Sequence, residues 1–304
     1  PIIEEFQKEY PQIKIEAREV ERFGGGGMEQ AVRYMDVDIY QDDRRALQDA
    51  QEGLLMPVGD LLEAQWSPIE DDYYPGTWEA LSVNGQQWGV PAGMDLTVTY
   101  LNKDHLAALN VAEPPADWTL DDFLALTQKV NYPDGSAALT VPHLFGFCST
   151  PQSTDPVLFV YLHGGRIVDD LTNPTQAIFD EPATVEAVQW YADLFKLYGV
   201  APDPEVIRQS FSRGGTWEAA LRGACGVWFQ MYSNRGGFVG RMEWEYDWTM
   251  RPLPKDQVAY EMGDVTGYFV TKKCKYPSQA AIFLRYLSDR WDASGRQLPP
   301  RRSL

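Results

Sequence analysis

A mixed α/β fold organised as two domains is what this sequence predicts, on three observations. The 304 residues, 44% of them hydrophobic, can bury more than one core, because domains usually run about 100 to 200 residues. Along the whole chain, stretches with apolar residues at helical spacing follow stretches that alternate or are β-branched. No internal repeat or low-complexity linker separates the halves, so a second domain has to be built by chain crossings and not at one boundary.

Each element is justified by its own local signal. Ile2, Ile3, Phe6 and Tyr10 fall on one helical face, Pro11 stops that helix, and Ile13-Lys14-Ile15-Glu16-Ala17 alternates as a half-buried strand. The run Gly24 to Gly27 lacks GxxxxGK[ST] and dinucleotide spacing, so it reads as a surface turn. Val37-Asp38-Ile39-Tyr40 reads as a short strand ending at Gln41-Asp42-Asp43. Strand ends are where α/β sheets place ligands, which makes Asp42 a site candidate, with a helix N-cap as the other reading. A helix follows from Arg45, with Ala46, Leu47 and Ala50 on one side and Gly53 as its stop. Trp88-Gly89-Val90-Pro91 and Leu96 to Leu101 form a β-rich stretch able to cross between domains. Thr119-Leu120-Asp121-Asp122 opens a capped helix bearing Phe123, Leu126 and Val130. A helix beginning at Asp180-Glu181-Pro182 carries a stripe of Val185, Val188, Ala192 and Phe195 and ends at Gly199. The last helix runs from Ser278 through Ile282, Phe283, Tyr286 and Leu287.

Composition narrows the function. Lys+Arg number 26 against Asp+Glu 44, a net charge of −18, and such a surface repels phosphate backbones and anionic lipid, so no nucleic-acid partner is expected. Cys148, Cys225 and Cys274 have no CxxC spacing, which leaves one disulfide open and points to no metal knuckle. No run approaches the roughly 18 to 20 apolar residues of a membrane span, and no signal peptide opens at Pro1. Aromatic residues make up 13% of the chain; most are expected in cores, with a subset free to line a cleft.

Several segments together resemble the extracellular solute-binding proteins of ABC importers, the family that includes maltose- and other sugar-binding receptors. Ile3 to Ile15 is similar to the family's "helix, aromatic, Pro, strand" opening, and Gly53-Leu54-Leu55-Met56-Pro57-Val58 to its "G-L-L-x-P-L" turn. Trp88-Gly89-Val90-Pro91, Tyr100-Leu101-Asn102-Lys103-Asp104 and Pro114-Pro115-Ala116-Asp117-Trp118-Thr119-Leu120-Asp121-Asp122-Phe123 match "G-V-P", "Y-x-N-K-D" and "P-P-x-T-W-x-E-F" in order. Gly164 to Asp169, Ala219 to Trp228 and Pro252-Leu253-Pro254 resemble later family phrases.

The resemblance implies a two-lobed, type II periplasmic-binding-protein-like fold with a ligand cleft between lobes. Residues 1–95 and 263–290 are expected in the first lobe and 96–258 and 291–304 in the second, with crossings near Met94 to Thr97 and Val258 to Met262. It further implies a monomeric, extracytoplasmic receptor, without a cofactor or metal, that delivers a solute to the transmembrane subunits of an ABC permease. The family's first strand and its closing helical region are absent around Pro1 and after Arg302, so the chain is expected to be part of a longer protein. A glycine run stands where the family has a helix, and Gly263-Asp264 where it has Gly-Gly.

A sugar needs flat apolar faces for its C–H surface and amides or carboxylates for its hydroxyls. By resemblance Phe23, Asp42, Met94 and Asp95 occupy ligand-contacting places on the first lobe. Trp217, Trp228, Phe229 and Tyr232 lie in the region whose aromatics stack on ligand, Trp228 foremost, and Gly263 and Asp264 pair a close backbone approach with a carboxylate. The acidic site would also suit a cationic solute; a polyol or glycerophosphodiester is a further alternative. Catalysis finds no constellation: there is no G-x-S-x-G or H-E-x-x-H, and His105, His143 and His163 lack a ligand pattern. A glycosidase carboxylate pair assembled by folding is the enzyme alternative.

Overall fold

The computed structural model describes residues 1–18, 32–33, 36–63, 70–136, 139, 141–171, 174–211, 215–238 and 242–304. Eleven strands lie in this part: β1 Ile39–Asp43, β2 Leu55–Met56, β3 Ser82–Val83, β4 Gln86–Gln87, β5 Gly89–Asn102, β6 Phe145–Phe147, β7 Cys225–Met231, β8 Gly237–Phe238, β9 Met242–Glu243, β10 Trp248–Arg251 and β11 Gly263–Thr271. The chain divides into unit 1, Pro1–Leu96 with Gly263–Leu304, and unit 2, Thr97–Met262. It leaves unit 1 inside β5 and returns just before β11.

In unit 1, β11 runs antiparallel to β1 on one side and to the first half of β5 on the other, and pairs with β2 through Val270 and Thr271. The helix Ile2–Glu9 buries Phe6 against Phe283 and Leu287 of the helix Pro277–Ser288. Gly53, at φ 73°, ends the helix Ala46–Gln51 in the left-handed conformation that favours glycine. The segment Ile13–Ala17, expected as a strand, joins no ladder among the described residues. Ile13 is buried nonetheless, and Ile15 N–H donates to Gln7 Oε1 at 2.8 Å. Residues 291–304, expected with the second lobe, belong to unit 1. Leu298 and Met94 exchange backbone hydrogen bonds of 2.9 Å, and Arg301 Nε donates to Asp72 Oδ2 at 2.7 Å.

In unit 2, the second half of β5 lies between β10 and β7, both antiparallel to it, and β6 runs parallel to β7. One face carries a core of Phe123, Phe147, Phe159, Leu158, Leu194 and Val227; the other packs Tyr100, Trp228 and Trp244 against Ile207, Phe211 and Ala219. Thr119 opens the helix Leu120–Lys129 with a full capping box: its Oγ1 accepts from Asp122 N–H at 3.2 Å, and Asp122 Oδ2 accepts from Thr119 N–H at 2.9 Å. A disulfide joins Cys148 to Cys225, and Cys274 is free and buried. The helix Asp155–Leu162 gave no periodic signal because six of its eight residues are buried, so no polar face alternates with an apolar one.

The helix Pro182–Lys196 turns a different face inward from the one its stripe suggests. Thr184, Ala187, Tyr191 and Leu194 are buried, while Val185 and Val188 are exposed. The cause is polar. Thr184 Oγ1 accepts from Arg166 N–H at 3.0 Å and donates to Arg166 O at 2.8 Å, which fixes the helix one residue round from the apolar reading.

Candidate functional site

In unit 1 the strand register sorts the expected carboxylates. The sequence places Asp42 after its strand; the strand runs three residues past Tyr40, to Asp43, and contains it. Asp43 stands opposite Thr266, and Asp95 opposite Asp264. Side chains alternate along strands, so Asp43, Asp95 and Asp264 share one face of β1, β11 and β5. Asp42 is on the other face with Tyr40, whose hydroxyl donates to Asp49 Oδ2 at 2.7 Å, and Asp42 is itself buried. Asp43 was not singled out from the sequence; adjacent acids at a strand end, read with period two, would have separated it from Asp42.

The three-carboxylate face is partly compensated. Arg45 forks onto Asp43, its Nε 2.9 Å from both carboxylate oxygens and its Nη2 2.6 Å from Oδ2. Asp264 is exposed, yet its carboxyl is held above the ordinary range, first by partial desolvation and then by Asp43 and Asp95, against the opposing pull of Arg44 and Arg45. Met94 is buried in β5 with its backbone committed to Leu298. Gly263 does permit a close approach, but of a neighbouring strand: a Cβ there would meet the Asp95 carbonyl oxygen at 2.6 Å. Phe23 and the Gly24–Gly27 run lie outside the described residues.

In unit 2 the aromatic candidates separate by depth. Trp228, expected as the foremost stacking surface, is only 3% exposed. It is packed at 5.6 Å on Tyr100 and edge-on to Trp244 at 5.2 Å and Tyr246 at 6.2 Å. Alternation along β7 puts its neighbour Phe229 on the opposite face, half-buried against Phe147 at 4.9 Å and Phe123 at 5.7 Å. Tyr232 begins a short turn directly after β7, half-buried, with the Arg235 guanidinium 4.2 Å above its ring. Trp217 is half-buried on the helix Gly215–Leu221.

Gln230, which the sequence reading passed over, lies on the Trp228 face of β7 opposite Val98. Its Oε1 and the Trp228 Nε1 are buried polar atoms without a hydrogen-bond partner among the described residues. A lone glutamine between aromatics carries no periodic signal, which is why it was missed. The face can supply an amide beside aromatic rings, and the unit 1 face can supply hydroxyl-accepting carboxylates.

Each histidine has a polar neighbour in the fold. His105 Nε2 is bonded to Gly223 O at 2.6 Å, His143 Nδ1 to Pro133 O at 2.6 Å, and His163 Nδ1 lies 3.4 Å from Asp256. Among the described residues, no group of three or more His, Cys, Asp or Glu side chains could hold a metal ion, and no helix is long and apolar enough to cross a membrane.

A family model described as "bacterial extracellular solute-binding protein" matches residues 1–290. The arabinooligosaccharide-binding protein of Halalkalibacterium halodurans is 23% identical over 248 residues, covering 76% of this chain and 49% of that protein. The chain thus spans about half the length of this curated relative. An ABC substrate-binding protein of Listeria monocytogenes in complex with cycloalternan superposes with a TM-score of 0.77 at 19% identity, over 99% of this chain and 76% of that one. UgpB of Mycobacterium tuberculosis in complex with glycerophosphocholine gives a TM-score of 0.69 at 18% identity, over 99% and 78%. At such identities the superpositions establish the fold: a mixed α/β architecture of the periplasmic sugar-binding-protein type.

Proposed function

Because the chain belongs to the bacterial extracellular solute-binding protein family, we propose that it is the receptor of an ABC importer and that its ligand is a carbohydrate. The observation that carries the reading is the family match over residues 1–290 together with a relative named for arabino-oligosaccharides. The residue chemistry supports it: Asp43, Asp95 and Asp264 can accept hydroxyl hydrogen bonds, and Trp217, Phe229, Tyr232 and Gln230 offer partly accessible rings and an amide. Asp42, Met94, Gly263 and Trp228 act at one remove, holding the strands that carry those groups.

In this reading the protein binds and does not catalyse. Ligand acts by favouring the conformation it binds more tightly, and the permease's transmembrane subunits read that conformation. The receptor works as a monomer outside the cytoplasm. The Cys148–Cys225 disulfide supports that location, since such bonds persist in oxidising compartments.

Titration of the purified protein with arabino-, malto- and cyclic oligosaccharides, followed by calorimetry and tryptophan fluorescence, tests the proposal. One sugar class should bind saturably and be recovered unchanged. Binding to none of them would overturn the carbohydrate reading, and turnover of a bound glycan would replace it with a glycosidase. The shared carboxylate face and the fold match to a glycerophosphocholine complex favour one second reading, a cationic or phosphodiester solute. Glycerophosphocholine and choline therefore belong in the same titration.

A further inference from the structure

Four polar side chains meet inside unit 2. Asp155, at the start of the helix Asp155–Leu162, is buried and shares a short hydrogen bond with Ser149 Oγ. Ser149 Oγ also lies 2.7 Å from Tyr191 Oη, which lies 2.9 Å from Thr150 O. Ser153 Oγ is 2.8 Å from the same carbonyl and 3.3 Å from Ser149 Oγ, and it accepts from Asp155 N–H at 3.2 Å.

With all four bonds to Thr150 O, Tyr191 and Asp155 made at once, counting protons fixes their direction. A carbonyl only accepts, so the single hydroxyl protons of Tyr191 and Ser153 both go to Thr150 O. The bond between Ser149 and Tyr191 must then use the Ser149 proton. Ser149 has only lone pairs left for Asp155, and that last bond forms only when the carboxyl carries a proton and donates it. An ionised Asp155 instead accepts the Ser149 proton, and the Tyr191 proton can then serve Ser149 or Thr150 O but not both, so one bond of the chain is lost.

We propose that Asp155–Ser149–Tyr191–Thr150 is a proton-held latch: a proton on Asp155 completes the chain that fastens the segment 149–154, after β6, to the helices Asp155–Leu162 and Pro182–Lys196. Without that proton the segment is held by one bond fewer. Burial pushes the Asp155 carboxyl up to about 6, against the opposing effect of Ser149 and Ser153. The groups facing it are Ser149 and Ser153 from the preceding segment and Tyr191 from the helix Pro182–Lys196. The Tyr191 hydroxyl is held above its ordinary range, by burial first and by Asp155 among the lesser causes. No cation or second carboxylate shifts Asp155 among the described residues.

The folded chain keeps this proton up to about pH 6, whereas the unfolded chain releases it near 3.8. The stabilisation is therefore complete below about pH 4, is lost as pH rises to about 6, and is flat above that, a change of about a hundredfold in the folding equilibrium. Denaturant unfolding of the full chain from pH 4 to 8, with Asp155→Asn and Tyr191→Phe beside the unaltered protein, tests it. Asparagine donates to Ser149 at every pH, so Asp155→Asn should match the unaltered protein near pH 4 and fold up to about a hundredfold more favourably above pH 6. Tyr191→Phe frees the Ser149 proton for an ionised Asp155, so its transition should move to lower pH. Amide exchange of residues 149–155, corrected for the intrinsic rate, should be slower at pH 5 than at pH 7.5 in the unaltered protein. A stability gap that does not vary with pH, a Tyr191→Phe transition in its original place, or equal protection at both pH values would each overturn the latch; the exchange measurement decides even if neither variant folds.

Discussion

Replacing Trp228 by alanine should cost about 3 to 5 kcal/mol of stability, the usual loss for a fully buried aromatic, because the ring is enclosed by Tyr100, Trp244 and Tyr246. Denaturant unfolding checks this, and a near-neutral result would show the ring to be a surface group. Tyr232→Ala and Gln230→Ala remove half-buried groups and should instead weaken ligand binding, by roughly 1 to 3 kcal/mol if each is engaged, with little change in unfolding midpoint. At Asp264 the expectation concerns pH. Its carboxyl is raised in the fold, so its protonated form is favoured there and stability falls as pH rises through that raised value. Asp264→Asn should therefore be more stable than the unaltered chain at neutral pH and lose that advantage in acid, in unfolding curves recorded across pH 3 to 8. None of these distinctions was visible from residue type, because a tryptophan reads alike in a core and on a ligand face. What separated Asp43 from Asp42 was one step along a strand.

At the scale of the element, local signals and tertiary demands can part company. Thr119 and Asp122 sit three residues apart and satisfy each other's backbone, so their helix start was legible in full. Thr119→Ala should cost about 1 kcal/mol. Hydrogen bonds from Thr119 hold the Asp122 carboxyl below its ordinary range, so this cap contributes stability that is lost as pH falls through the lowered value. The helix Pro182–Lys196 is the opposite case. Its apolar stripe suggested Val185 and Val188 inward, but the pair of hydrogen bonds between Thr184 and Arg166 turns it. Thr184→Val should cost about 1 kcal/mol by leaving the partly buried backbone groups of Arg166 unpaired. Val185→Ser should stay within about 0.5 kcal/mol, as for an ordinary surface change. A larger loss at Val185 than at Thr184 in thermal unfolding would restore the sequence-based face.

At the scale of the whole molecule, the Cys148–Cys225 disulfide spans 77 residues and ties β7 to the segment after β6. Replacing both cysteines by serine, or reducing the bond, should cost about 2 to 5 kcal/mol and act on unit 2. Hydrogen exchange resolved by residue should show the loss concentrated in Thr97–Met262, with Pro1–Leu96 and Gly263–Leu304 little changed. Three cysteines with irregular spacing left the pairing open, since distance along the chain says nothing about distance across parallel strands. For the discontinuous organisation, the family resemblance implied crossings near Met94 to Thr97 and Val258 to Met262; the two compact units meet along the chain at Leu96–Thr97 and Met262–Gly263.

The sequence by itself determined the features whose causes lie within one turn or one short run: the stops at Gly53 and Gly199, the capping box at Thr119, the β-rich stretch that makes β5, and the family phrases that imply the fold. Tertiary structure alone decided which faces are buried, that residues 291–304 pack with unit 1, that Trp228 is core, and that Ser149, Asp155 and Tyr191 share a proton chain. The physical reason is that burial and hydrogen-bond satisfaction depend on partners tens of residues away. Thr184 needs Arg166, Tyr191 needs Ser149, and Cys148 needs Cys225, and no local pattern records the partner.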